Sequence, residues 1–160
     1  QGVVVPHVNT REEAENVVAG GKFAPVGQRG LFGSRQSYGV ADYLQAANDH
    51  TFLMVLIEDI VAIENLDEIL EVDHIDVFFV APSDLAASMG LIGQVDHADV
   101  GRTIDEALAR IQERGRVAGT LTNNENVAKY AAAGVQFLFT STTSWLSAGA
   151  KEFVSRASLS

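Results

Sequence analysis

Residues 52–84, FLMVLIEDIVAIENLDEILEVDHIDVFFVAPSD, decide the fold. Phe52 to Ile57 is a short apolar run that ends in Glu58-Asp59, and a second run, Asp76 to Val80, ends in Ala81-Pro82-Ser83-Asp84. Runs of this length without polar alternation are the pattern of strands buried on both faces. Between them, Ala62 to Val72 carries a helical pattern. Strand, helix, strand is the unit of a parallel sheet.

The same alternation extends outward in both directions. Val3 to Val5, Val117 to Leu121 and Gln136 to Thr140 read as further strands. Thr10-Arg11-Glu12-Glu13 is a capping box that opens a helix ending near Gly20-Gly21. Val100, Ile104, Leu108 and Ile111 mark one face of a helix closed by Gly115, and Asn124 is placed to cap a helix through Tyr130 that stops at Gly134. Repeats, low-complexity tracts and interdomain linkers are absent, so the 160 residues read as part of one α/β domain.

With 47% hydrophobic and 20% charged residues the chain has the composition of a globular core. Its net charge of −10, from 21 acidic and 11 basic residues, argues against nucleic acid or an anionic membrane as partner. No apolar run approaches the ~20 residues of a membrane span. The absence of cysteine excludes a disulfide framework, a thiolate nucleophile and a thiolate zinc site, and fits a reducing cytoplasm. A Walker-type loop, a Gly-x-Gly-x-x-Gly turn after a strand and the glycine elbow of a serine hydrolase are all missing.

In parallel α/β folds the chemistry sits at the carboxyl ends of the strands. Glu58 and Asp84 stand there on two strands consecutive in sequence. Two carboxylates on neighbouring tips suit a hard divalent cation, Mg²⁺ or Mn²⁺, with positions left for water and substrate. A second reading of each stays open: Asp84 or Ser83 as a helix cap, Glu58 as the partner of an arginine. His7 also falls on a strand tip, as a residue supporting the site or as a packed histidine, whereas His50, His74 and His97 lie in polar connections expected to face solvent. The long connection Phe23 to Gly39 gathers Gly27, Gly30, Gly33 and Gly39 around Arg29 and Arg35. Such a loop reads either as a clamp for an anion or as a mobile surface segment.

Taken together, Val5-Pro6 with Asn9-Thr10, Pro25-Val26-Gly27-Gln28-Arg29-Gly30, Asp42-Tyr43-Leu44 with Ala47-Asn48, Ile57-Glu58, Pro82-Ser83-Asp84-Leu85 and Gly119 resemble the metal-dependent class II pyruvate aldolases of the 4-hydroxy-2-oxoheptanedioate aldolase and citrate lyase superfamily. The resemblance implies a (β/α)₈ TIM barrel of which this chain supplies about strands 4 to 8, residues 1–160 being the C-terminal part of one domain. It implies a lyase that cleaves 4-hydroxy-2-oxo acids into pyruvate and an aldehyde. The cofactor would be a divalent cation, Mg²⁺ or Mn²⁺ with Co²⁺ as a third candidate, held by Glu58 and Asp84. By the same resemblance Arg29 contacts the keto or enolate oxygen of pyruvate, and the backbone amides of Ser83 and Asp84 hold the substrate carboxylate. A homo-oligomer of cytoplasmic location is expected. Ala81 replaces the glycine usual in the family, Thr140 and Thr142 replace small or acidic positions, and the family's catalytic His and Asp near the second strand have no counterpart here. The alternatives are a half-barrel that binds a metal and an oxo acid without catalysis, and a citrate-lyase-like or malyl-thioester lyase.

Overall fold

The computed structural model describes residues 1–31, 33 and 35–157. Five strands, β1 (Gly2–Val5), β2 (Phe52–Ile57), β3 (Val77–Val80), β4 (Ala118–Leu121) and β5 (Phe137–Phe139), form one sheet in sequence order. Every pairing is parallel, with Val5 opposite Val55, Ile57 opposite Val80, Val80 opposite Thr120 and Leu121 opposite Phe139. The connections carry α1 (Arg11–Gly21), α2 (Tyr43–His50), α3 (Ile60–Glu64), α4 (Leu66–Ile69), α5 (Pro82–Ser88), α6 (Ala98–Glu113) and α7 (Val127–Ala132), and α8 (Thr142–Ala157) follows β5.

The side-chain alternation of the strands shows what kind of parallel sheet this is. Leu53, Val55 and Ile57 of β2 and Phe78 and Val80 of β3 join a core with Ala14 and Val18 of α1, Leu66 and Ile69 of α4, Leu85 of α5 and Val100, Ile104, Leu108 and Ile111 of α6. The residues between them, Met54, Val77 and Phe79, form a separate apolar cluster with Phe52, Leu56 and Phe137, and no helix contributes to it. Helices on one face and an interior of strand side chains on the other is the arrangement of a (β/α) barrel rather than a doubly wound sheet. The interior is aromatic: Phe52 stacks on Phe137 at 6.0 Å between centroids, and Phe79 meets Phe137 and Phe139 edge-on at 6.2 and 6.4 Å. Gly119 of β4 faces this interior. A Cβ there would lie 2.9 Å from Phe79 Cδ2 and 3.0 Å from Val77 Cγ1, so the glycine makes room for the rings.

The sheet is an open arc. Among the described residues β1 pairs only with β2 and β5 only with β4. Val4 on one edge and Phe139 on the other are 55% and 51% exposed. The last helix, α8, buries none of its residues, and Trp145, Leu146 and Phe153 stand open at 51–75% exposure.

The capping box is formed as the sequence predicts. Thr10 Oγ1 accepts the Glu13 amide, and Glu13 Oε2 accepts the amides of Asn9 and Thr10. Two local expectations are corrected. The helix expected over Ala62 to Val72 is two short ones, α3 and α4, divided at Asn65, whose Nδ2 donates to the Asn9 carbonyl at 2.9 Å. The cap of α7 is not Asn124: Asn126 is the N-cap, Asn123 Oδ1 accepts the amides of Glu125 and Asn126, and Asn124 Oδ1 takes the Trp145 indole N–H. His97 caps α6, its Nδ1 accepting the Asp99 amide at 3.2 Å.

Candidate active site

Glu58 is the first residue past β2. The tips of β2 and β3 stay in register beyond the ladder, because the Ala81 amide donates to the Ile57 carbonyl at 3.2 Å. Glu58 is only 2% exposed, an unusual state for a carboxylate without a lysine or arginine beside it. Its Oε1 accepts the His7 amide at 2.8 Å and lies 3.5 Å from His7 Nδ1, and that nitrogen is 2.9 Å from Asp59 Oδ2. Pairing with an arginine is therefore not what buries Glu58. The His7 ring has its pKa raised, first by the hydrogen bond to Asp59, then by the charge of Glu58, with smaller contributions from the charges of Asp59 and Asp84.

Asp84 is in the first turn of α5, after Pro82 at the helix start. The N-cap is Ala81, and no side chain caps this helix, so neither Ser83 nor Asp84 does the capping that was one reading of each. Both acid and hydroxyl stand toward solvent, Ser83 and Asp84 being exposed alike. Their amides fall in the first turn, where backbone N–H groups have no intrahelical acceptor. One rim thus offers a buried carboxylate, an exposed carboxylate and two such amides. That donor set fits a hard cation carrying a chelating oxo acid, with oxygen ligands only and open coordination positions. Among the described residues no group of three or more His, Asp or Glu side chains forms a closed metal cage.

Arg29 is not brought to this rim. Its amide donates to the Lys22 carbonyl and its guanidinium lies 4.6 Å over the Phe23 ring. Lys22 Nζ in turn donates to the carbonyls of Asn48 and Thr51, just ahead of β2. Glu58 is seven residues beyond Thr51 along an extended strand, about 23 Å at ~3.3 Å per residue. The cause is Gly27, which seals the loop against the end of α1. A Cβ at this position would come within 2.4 Å of the Lys22 carbonyl oxygen and 2.7 Å of that of Val18. The close backbone approach that Gly27 permits is thus to a helix terminus. Arg35 lies in a short 3-10 turn, Arg35–Ser37, and Phe32 and Ser34 of the same connection lie outside the described residues.

Sequence reasoning placed His7 on a strand tip but missed its left-handed backbone, φ 53°, and its link to Asp59. The adjacent acids Glu58-Asp59, with a histidine two residues past the neighbouring strand, are the signal that could have found them.

An arc of parallel β/α units with helices on one face and strand side chains on the other is part of a (β/α) barrel. Residues 1–144 match the HpcH/HpaI aldolase/citrate lyase family, and the chain belongs to it. Over 143 residues it is 41% identical to the hydroxypyruvate/pyruvate aldolase of Roseovarius nubinhibens, covering 86% of this chain and 56% of that one. It is 37% identical over 158 residues to a 4-hydroxy-2-oxo-heptane-1,7-dioate aldolase of Escherichia coli, covering 95% and 60%. The crystal structure of an HpcH/HpaI aldolase/citrate lyase family protein from Burkholderia cenocepacia superposes with a TM-score of 0.89 at 27% identity, over 98% of this chain and 64% of that one. The chain thus spans a little over half the length of the curated relatives it matches.

Proposed function

We propose that this chain supplies the metal-binding side of the site of a divalent-cation-dependent aldolase, a carbon–carbon lyase that cleaves 4-hydroxy-2-oxo acids to pyruvate and an aldehyde. The observation that carries the reading is Glu58, a carboxylate buried at the tip of β2 with no lysine or arginine partner among the described residues, while Asp84 follows the tip of the neighbouring strand β3. In this reading Glu58 and Asp84 hold Mg²⁺, Mn²⁺ or Co²⁺, and the amides of Ser83 and Asp84 hold the substrate carboxylate. A cation bound there would polarise the C2 carbonyl of a chelated 2-oxo acid. Breaking the C3–C4 bond leaves its electron pair in an enolate, and the C4 hydroxyl proton must be taken by a base. Arg29, expected to contact the enolate oxygen, has its guanidinium 4.6 Å over the Phe23 ring and lines a cavity together with His7. The curated relatives named as pyruvate and hydroxy-oxo-acid aldolases support the substrate class.

The same reading makes residues 1–160 the C-terminal part of one barrel whose remaining strands cover the two open edges. It makes the protein a cytoplasmic homo-oligomer in which the exposed residues of α8 are covered. The test is Mn²⁺ binding by the intact protein. Glu58→Gln and Asp84→Asn should each weaken it more than about tenfold and abolish cation-dependent cleavage, because each leaves a single carboxylate. Circular dichroism should be unchanged, since the carboxamide oxygen introduced by Glu58→Gln can still accept the His7 amide. Tight Mn²⁺ binding with turnover in both variants would sink the assignment.

A further inference from the structure

We propose that His7 is a positioning residue whose left-handed backbone, rather than its ring, aims the Glu58 carboxylate for the cation. The inference rests on the reading of Glu58 as a metal ligand. After Val5 the β1–β2 ladder stops, and the position that would continue it opposite Ile57 is His7. Its N–H leaves the ladder and donates to Glu58 Oε1 at 2.8 Å. The chain then reverses at φ 53° so that Val8 is buried, at 2% exposure, and the Asn9 and Thr10 amides reach Glu13 in the capping box of α1.

Two demands therefore meet in one residue. The amide before its Cα must face the tip of β2, and the carbonyl after it must lead into α1. A positive φ satisfies both. That conformation is open to glycine and tolerated by asparagine and histidine, but β-branched side chains clash with their own backbone there. The ring adds a tether to Asp59 from an exposed position, its side chain being 62% accessible. The backbone bond is the one that touches Glu58 closely, and it is independent of the side chain at position 7.

The experiment titrates the intact protein and its His7→Gly, His7→Asn and His7→Val variants with Mn²⁺ alone, followed by the loss of the free-ion paramagnetic resonance signal. His7→Gly and His7→Asn should keep the dissociation constant within about threefold of wild type, whereas His7→Val should raise it by roughly 5- to 100-fold, the range expected of left-handed strain. Equal weakening by glycine and valine would show that the ring positions Glu58, and an unchanged valine variant would show that nothing at position 7 does. Either result overturns the proposal. Failure of the wild type itself to bind Mn²⁺ would instead overturn the metal reading on which it rests. Should the valine variant not fold, amide hydrogen exchange in the wild type decides: the residue 7 N–H should be protected although its side chain is exposed, and rapid exchange refutes the bond to Glu58.

Discussion

Three carboxylates act on the ring of His7, and their charge has a consequence that can be read without any metal. Asp59 hydrogen-bonds Nδ1, Glu58 lies beside it and Asp84 contributes through space, all favouring the protonated ring. In the metal-free protein the His7 ring should titrate above ~6.5, the ordinary histidine value. A folded-state pKa above the unfolded one means that the folded state holds the proton more tightly. The pairing therefore contributes fully below the unfolded value and is lost as pH rises through the higher folded value. Asp84→Asn should lower the midpoint by removing one of these charges, and saturating Mg²⁺ should lower it further by adding positive charge beside the ring. Ring carbon-proton resonances followed by NMR across this range check all three. A midpoint at or below ~6.5 would mean that the rim is not assembled as described.

Elements differ in how openly the sequence declares them, and the difference follows burial. The strands around Val55 and Phe78 were legible because both of their faces are covered, which leaves an unbroken apolar run. In α6 the buried Val100, Ile104, Leu108 and Ile111 write a clear stripe. Helix α2 buries only Ala47 and α8 buries nothing, so neither carries a stripe that would have announced it. The division of α3 from α4 depends on Asn65 reaching Asn9, a contact between residues far apart in sequence that no local pattern records. For the site the same rule holds. Glu58 and Asp84 could be read as acids at strand ends, while the location of Arg29 depended on Gly27 meeting the end of α1. Gly119 is the element-level position open to a simple test. Gly119→Ala should destabilise the fold by about 1–3 kcal/mol, the usual cost of overpacking, because the new methyl meets Phe79, Val77 and the Cβ of Phe137 together. Denaturant unfolding monitored by circular dichroism measures it, and a change below about 0.5 kcal/mol would show that the interior rings yield freely.

At the scale of residues 1–160 taken together the controlling feature is the arc. A parallel sheet with two open edges, an aromatic interior and an uncovered α8 exposes backbone donors and acceptors together with apolar surface. The 160-residue chain studied by itself should associate, and it should show no cleavage of 4-hydroxy-2-oxo acids, since no base is assigned on its rim. Sedimentation at rising concentration, with an assay for pyruvate release, tests both expectations. A monomer that releases pyruvate would require the whole site to lie in these residues.

The two free edges are unlike one another, since one belongs to β1 and the other to β5. If copies meet by extending the sheet in its own parallel sense, the β5 side of one must join the β1 side of the next, a heterologous contact with no two-fold axis. Such contacts end only when the rotation between neighbours closes a ring. Otherwise they propagate as a polar filament, with every acidic rim facing the same way along its length.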